Sequence, residues 1–423
     1  MRPLDLGRRS SDEYVAPPLS PSVTEAARRA REAIERLRTG GALSRREVLA
    51  SAAASAAVLS ALTACSREER ASRGAPEPGG GFAAPGGGDA VIDPAEAAEA
   101  LARGGPVVDV QLHFLDPARN ADFGGGFPQA SCGAADWRAC FSAEALVSLV
   151  FDQSDTQVGL LSGLPITGAD SPLSIEVMDD ARRRLESAGG GRRLLLQAPV
   201  HPAAGPLDQA LDAMAADAAT YPVAGWKTYT SLGPYRLDDE RGDALLDQAV
   251  RLGRPVVAVH KGVAGEDPAA SPADIGPAAR AHPGAQLVVY HSGWEPTAPE
   301  GPFAAGRPER ELRGVDRLIA SLKAAGIGPE GNVYAELGTT WFNVARDPDA
   351  AAHVLGKLLA QLGPRRILWG TDSIWYGSPQ GQIDAFRTFQ ISERLQEQHG
   401  YPALTDEAKA LILGGNARRL YGI

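Results

Sequence analysis

Five short apolar runs each end in a polar side chain able to do chemistry, and this repetition constrains the fold more than any other feature of the chain. The runs 107–113, 223–227, 256–260, 287–291 and 367–372 end in His113, Lys227, His260, His291 and Asp372. Continuous apolar segments mark strands buried on both faces, as in a parallel sheet, and a barrel of such strands gathers its chemistry at their carboxyl ends. Three more runs, 156–161, 193–198 and 332–336, bring the expected strands to eight. Helical segments rich in Ala, Leu, Arg and Glu alternate with them, at 173–187, 207–219, 240–252, 272–281, 309–325, 350–362 and 383–398. Alternation of this kind builds βα units, so the expected fold is α/β, a single-domain TIM-type (β/α)8 barrel. Thr405 is placed to cap a last helix, 406–413, with Gly414 and Gly415 as its stop.

A barrel of roughly 250 residues with additions accounts for most of the 423, and no second catalytic domain is required. The 42 basic and 52 acidic residues give a net charge of -10 without a basic stripe, which argues against nucleic acid as a partner. A small-molecule substrate is expected, with homo-oligomerisation left open.

The amino-terminal region reads differently. Ser44, Arg45 and Arg46 precede an uncharged, alanine-rich run, 50–64, that leads into Cys65. The pattern resembles a twin-arginine export signal joined to a lipoprotein cleavage box. Cleavage before Cys65 would leave it acylated and the protein lipid-anchored in the cell envelope, on the outer side of the cytoplasmic membrane or in the periplasm. A permanent membrane span is the weaker alternative, because the run is short and only mildly apolar. Upstream, 22–39 reads as an amphipathic, Arg-rich helix, either a cytoplasmic extension or the product of a start site placed too early. The following stretch is rich in Gly, Pro and charge and reads as a flexible spacer. The expected divisions are therefore 1–65, 66–100 and 101–423. Residues 114–141 are too long for a simple βα loop and read as a lid. They contain Cys132 and Cys140, which in an exported protein commonly pair, with two free thiols as the alternative.

Taken together, the strand ends resemble the amidohydrolase superfamily, in particular the amidohydrolase-related branch that includes aminocarboxymuconate-semialdehyde decarboxylase. The resemblance runs from about Pro106 to the carboxyl terminus. It rests on Asp109 and His113, Gly225-Trp226-Lys227, His260-Lys261-Gly262, His291-Ser292-Gly293, Gly370-Thr371-Asp372 and the closing Asn416-Ala417-Arg418-Arg419. The family's first strand ends His-x-His, whereas this chain has Gln111-Leu112-His113.

The resemblance implies a divalent metal ion, zinc in the first instance, held by His113, His260 and Asp372. Gln111 either ligates as a poorer, neutral donor or orients water or substrate. Asp372 would also take the proton from a metal-activated water. His291 would ligate or act as acid or base, and Lys227 would either be a carboxylated metal bridge or pair with a barrel carboxylate such as Glu336. Trp294, Trp341 and Trp375 lie at or beyond strand ends and read as substrate walls, while Trp226 reads as core. Lys261 should point away from His260, solvated or binding a substrate carboxylate. His201, His282, His353 and His399 fall outside the constellation. The implied function is hydrolysis of an ester, lactone or amide. Nonoxidative decarboxylation is the alternative, with Arg119, Arg138 or Lys261 holding the carboxylate, and a non-catalytic ligand-binding barrel is the third.

Overall fold

In the computed structural model the described residues are 3–11, 14–40, 52–83, 94–101, 105–119, 125–130, 132–166, 171–263 and 267–423. Eight parallel strands follow one another around a barrel in sequence order. They are β1 (Val107–Leu112), β2 (Thr156–Ser162), β3 (Leu194–Pro199), β4 (Val223–Tyr229), β5 (Val256–His260), β6 (Gln286–Tyr290), β7 (Val333–Glu336) and β8 (Ile367–Leu368). β8 is short because its continuation bonds to β1 through scattered contacts. Val110 N donates to Trp369 O at 3.0 Å, Asp372 N to Gln111 O at 3.1 Å and His113 N to Ser373 O at 2.7 Å, which nearly closes the cylinder.

Two apolar layers explain why the strands carry few polar residues. Val108, Val110, Leu160, Ala258, Val288 and Leu368 fill the barrel, while Val107, Leu161, Val257 and Leu287 face the helices outside. Each fully buried aliphatic side chain of this size contributes about 1.5–3 kcal/mol. The helices start where side chains cap them: Asp239 accepts from the backbone of Arg241 and Gly242, and Asp347 from Asp349 and Ala350.

Three expectations about the ends of the chain need correction. The predicted helix 383–398 is broken into Gln380–Thr388 and Glu393–His399 by a strand, Phe389–Ile391, and Ser392 caps the second piece. That strand pairs antiparallel with Gly80–Phe82. Gly414 and Gly415 do not stop the last helix, which continues through a wider turn, Leu411–Gly415, into Asn416–Tyr421. Gly414 is required for close approach, since a Cβ there would lie 2.0 Å from the Pro106 carbonyl oxygen. The flexible spacer gives way in part: Ser66 to Ser72 continue a helix that begins at Ala52, and Gly80–Phe82 is a strand.

That helix, α2 (Ala52–Ser72), packs against α1 (Pro21–Gly40), and small alanine side chains allow the approach. Arg29 of α1 grips both carboxylate oxygens of Glu68 at 2.7 Å. Cys65, the expected acylation site, lies within α2 and is 4% exposed. Ser44, Arg45 and Arg46 lie outside the described residues, as does 84–93 of the expected spacer. Among the described residues no helix is long and apolar enough to cross a membrane.

Ser55 of α2 donates to Asp384 at 2.7 Å, and Gln380 donates to the other oxygen at 2.8 Å. Burial pushes the Asp384 carboxyl up to about 6. A raised carboxyl holds its proton more tightly folded than unfolded, so its stabilisation is complete below about pH 4 and is lost as the pH rises through about 6. Asp384→Asn is expected to flatten this dependence and raise stability at pH 7.5 by about 3 kcal/mol, with little gain at pH 4. Denaturant unfolding at the two pH values measures it.

Candidate active site

Period-two alternation sends Asp109, Gln111 and His113 to one face of β1, and all three are buried. Asp109 fastens β1 to the chain beyond β8. One of its oxygens accepts from the backbone nitrogens of Gln111 and Thr371, each at 3.1 Å, and the other from the Thr371 hydroxyl. Burial pushes its carboxyl up to about 8.

His113 Nδ1 donates to the Ser162 carbonyl at 2.8 Å, which fixes the ring so that Nε2 lies 3.1 Å from Asp372 Oδ1 and 3.4 Å from Gln111 Nε2. Gln111 Nε2 donates to the same oxygen at 2.9 Å. Its own Oε1 is buried and accepts no hydrogen bond from the described residues. The other Asp372 oxygen accepts from the Thr339 hydroxyl.

His260 and His291 form a second pair at the ends of β5 and β6. His291 Nδ1 lies 2.9 Å from the Gly338 carbonyl, which leaves its Nε2 to accept from His260 Nδ1 at 3.2 Å. His260 stacks on Tyr229 with ring centroids 5.3 Å apart. Glu336, at the end of β7, accepts from the backbone nitrogens of His291 and Gly338, and burial pushes its carboxyl up to about 7. Two glycines make room for these groups. A Cβ at Gly370 would meet Glu336 Oε1 at 1.9 Å, and one at Gly338 would meet Gln111 Oε1 at 2.2 Å.

His291, Ser292, Thr339 and Asp372 all have positive φ, from 52° to 61°. They stand just after the ends of β6, β7 and β8, where the chain turns sharply, and the Ser292 hydroxyl ties its turn to the Glu336 carbonyl at 2.7 Å. Among the described residues no three His, Cys, Asp or Glu side chains are gathered closely enough to hold a metal ion. The third polar group beside His113 and Asp372 is the Gln111 amide.

Trp375 stacks over His113 at 6.0 Å and packs against Phe127 and Phe141, so the long loop after β1 covers this side of the site. Cys132 and Cys140 are joined in a disulfide within that loop. Trp294 is 7% exposed at the rim and meets Tyr14 edge-on at 5.9 Å. Lys227 is buried with its ammonium 4.1 Å from the Tyr229 ring and 3.9 Å from the Tyr290 ring. His201, set aside on sequence, stands after β3 beside Tyr229. Burial, then the charge of Lys227, lowers its pKa to about 4 and keeps it neutral.

Two expectations are corrected. Lys261 is neither solvated nor facing a substrate: it is 0% exposed and pairs with Asp274 at 2.7 Å. Trp341 is not a pocket wall, because its indole donates to the Gln382 carbonyl and packs against Phe386 and Phe389 in the outer core. Thr339 and Tyr376 were not anticipated, although Thr339 closely follows the end of β7 and so had the same positional signal as the others. A separate cavity of about 1160 Å³ lies beyond Tyr376, and His113, His260, His291 and Asp372 are not among its walls.

A parallel eight-stranded barrel with histidines and a carboxylate at the carboxyl ends of its strands defines a barrel-enzyme type of site. The chain belongs to the amidohydrolase family, whose model, described as Amidohydrolase, matches residues 172–423, more than half its length. No curated protein matches it. Among solved structures it is similar to a TIM-barrel protein of uncharacterized function from Bordetella bronchiseptica, with 16% identity, 75% of this chain and 98% of that chain covered, and a TM-score of 0.49. It is also similar to 2,6-dihydroxybenzoate decarboxylase from Rhizobium, with 15% identity, 75% and 98% covered, and a TM-score of 0.45. An amidohydrolase from Burkholderia multivorans with bound zinc gives 18% identity, 75% and 100% covered, and a TM-score of 0.43.

Proposed function

We propose that the protein is a metal-dependent hydrolase acting on an ester, lactone or amide, with Asp372 as the proton acceptor. The observation that carries this reading is the convergence of His113 Nε2, Asp372 Oδ1 and the Gln111 amide in a buried site, with Nε2 3.1 Å from Oδ1. An imidazole nitrogen and a carboxylate oxygen aimed at one point are a donor set that suits a divalent cation. The Gln111 oxygen supports the same assignment: a half-turn of its amide would bring it to the Asp372 side, where a cation would satisfy it. His113, Asp372 and Gln111 are thus the residues that would hold a divalent ion. One imidazole with two oxygen donors suits Mn²⁺ as well as Zn²⁺. Such an ion, when bound, supplies Lewis-acid polarisation of a carbonyl and lowers the pKa of water.

The remaining work falls to the chain. Asp372 accepts the proton of the attacking water, and its oxygens are aimed by Gln111 and Thr339. The same carboxyl then returns that proton to the leaving group, which closes the proton balance on Asp372. Trp375 and the loop after β1 exclude solvent from the His113 side. Decarboxylation would need a cation for the leaving carboxylate. Lys261 is not available for it, being locked to Asp274 in the interior.

Metal analysis of the purified protein, with a screen for ester, lactone and amide cleavage alongside CO₂ release, tests the reading. About one equivalent of divalent metal is expected, with turnover abolished by a chelator and restored by Mn²⁺ or Zn²⁺. CO₂ release without hydrolysis, or full activity in metal-free protein, would overturn it.

A further inference from the structure

We propose that the cavity between the amino-terminal segment, α1, α2 and the barrel binds a free alkyl carboxylate of medium chain length, with its chain along the apolar walls and its carboxylate at Arg31. Nothing in this depends on the active-site reading, since His113, His260, His291 and Asp372 are not among the walls. The cavity holds about 1160 Å³, and sites that enclose small organic molecules run to about 300–1,000 Å³. Its walls come from two sides. Leu4 and Leu6 of the amino-terminal segment, Ile34 of α1 and Val58 of α2 stand on one side, and Phe342 and Tyr376, with ring centroids 4.2 Å apart, on the other. All but Ile34 are buried. Protein interiors are otherwise close-packed, so an apolar space of this size leaves unmade the dispersion contacts that an alkyl chain would supply.

Charge selects the head group. At the cavity Arg9 and Asp5 neutralise each other, with Arg9 Nε donating to the Asp5 carboxylate at 2.9 Å, and Asp5 also accepts from the Gly7 backbone nitrogen at 2.6 Å. Arg31 is different. Its neighbours on α1 are taken, Arg28 by Glu25 and Glu32 and Arg29 by Glu25 and Glu68, whereas Arg31 stands exposed at the cavity edge with no ion pair among the described residues. Two hydroxyls in the wall are already spent, Thr24 on the Ser20 carbonyl and Ser378 on the Gln153 carbonyl. One unpaired guanidinium beside an apolar space fits a molecule with a single carboxylate and an alkyl body. An alkyl alcohol would fill the same space and leave Arg31 unpaired.

Because the walls come from both sides, an occupant would hold the amino-terminal residues to the barrel and stabilise the folded chain by mass action. The test uses the full chain, titrated calorimetrically with octanoate, decanoate and dodecanoate below their micelle concentrations, with decanol and phosphatidylglycerol vesicles as comparisons. About one equivalent of each carboxylate should bind, tightening about tenfold for each two methylenes added. Decanoate should also raise the melting temperature and slow hydrogen exchange over 3–11 and 21–40. Arg31→Glu should weaken decanoate about fivefold and leave decanol unchanged. Ala27→Phe, which adds a ring at a cavity wall, should abolish binding of both. No saturable binding to the wild type, equal losses of decanoate and decanol in Arg31→Glu, wild-type affinity in Ala27→Phe, or binding to vesicles with none to the free carboxylates would each overturn the proposal. Should Ala27→Phe fail to fold, Thr24→Trp, on the exposed edge of the cavity, makes the same comparison.

Discussion

Asp372→Asn is expected to lower kcat by about a thousandfold or more while leaving the melting transition close to that of the wild type. The substitution keeps the size of the side chain and its acceptor for Thr339, and asparagine tolerates the φ of 57° found there. What it removes is the negative charge and the basic oxygen facing His113 Nε2. An interaction made in the transition state is lost, while a half-turn of the Gln111 amide lets its oxygen accept from the new NH2 and preserves the packing, so the loss should fall on kcat and kcat/KM alike. Steady-state kinetics beside a circular-dichroism melt measures both. Retention of a tenth of the activity would mean that another group accepts the proton.

Lys261→Met should act in the opposite way, on stability first. The Lys261 ammonium and the Asp274 carboxylate are 0% and 1% exposed, and Asp274 also accepts from the Leu237 backbone while Lys261 donates to the Ala269 carbonyl. Removing the lysine strands a buried carboxylate, which costs about 3–5 kcal/mol. Urea unfolding should show this as a lower midpoint, and Lys261→Met/Asp274→Leu should recover much of it. A lysine that held a substrate carboxylate would instead raise KM and leave unfolding unchanged, and that result would restore the sequence-based expectation.

The barrel was legible because buried parallel strands leave a strong imprint: all eight runs correspond to β1–β8, with ends displaced by a few residues. The placing of His113, His260, His291 and Asp372 at strand ends followed from the same imprint. Orientation was less accessible. Lys261 and Trp341 stand at or beyond strand ends just as His260 and Asp372 do, and only tertiary packing shows that each turns outward to Asp274 or to the Gln382 carbonyl. The amino-terminal third was hardest to read. The alanine-rich segment 50–64 has the composition of an export signal, yet such small side chains also suit close helix packing, and composition does not separate the two. Gly80–Phe82 opens with two glycines, which disfavour a strand, and it pairs with Phe389–Ile391.

The left-handed turns at His291, Ser292, Thr339 and Asp372 have a consequence for how this protein evolves. Non-glycine residues in that region are held against an intrinsic preference of about 1–2 kcal/mol each. Glycine at Ser292 would relieve the tension and make a sturdier molecule, at the expense of its hydroxyl's bond to the Glu336 carbonyl and of the rigidity with which His291 is presented. Selection for heat tolerance alone should therefore erode aim before it erodes the barrel, and robust but sluggish descendants should carry their first changes at these bends.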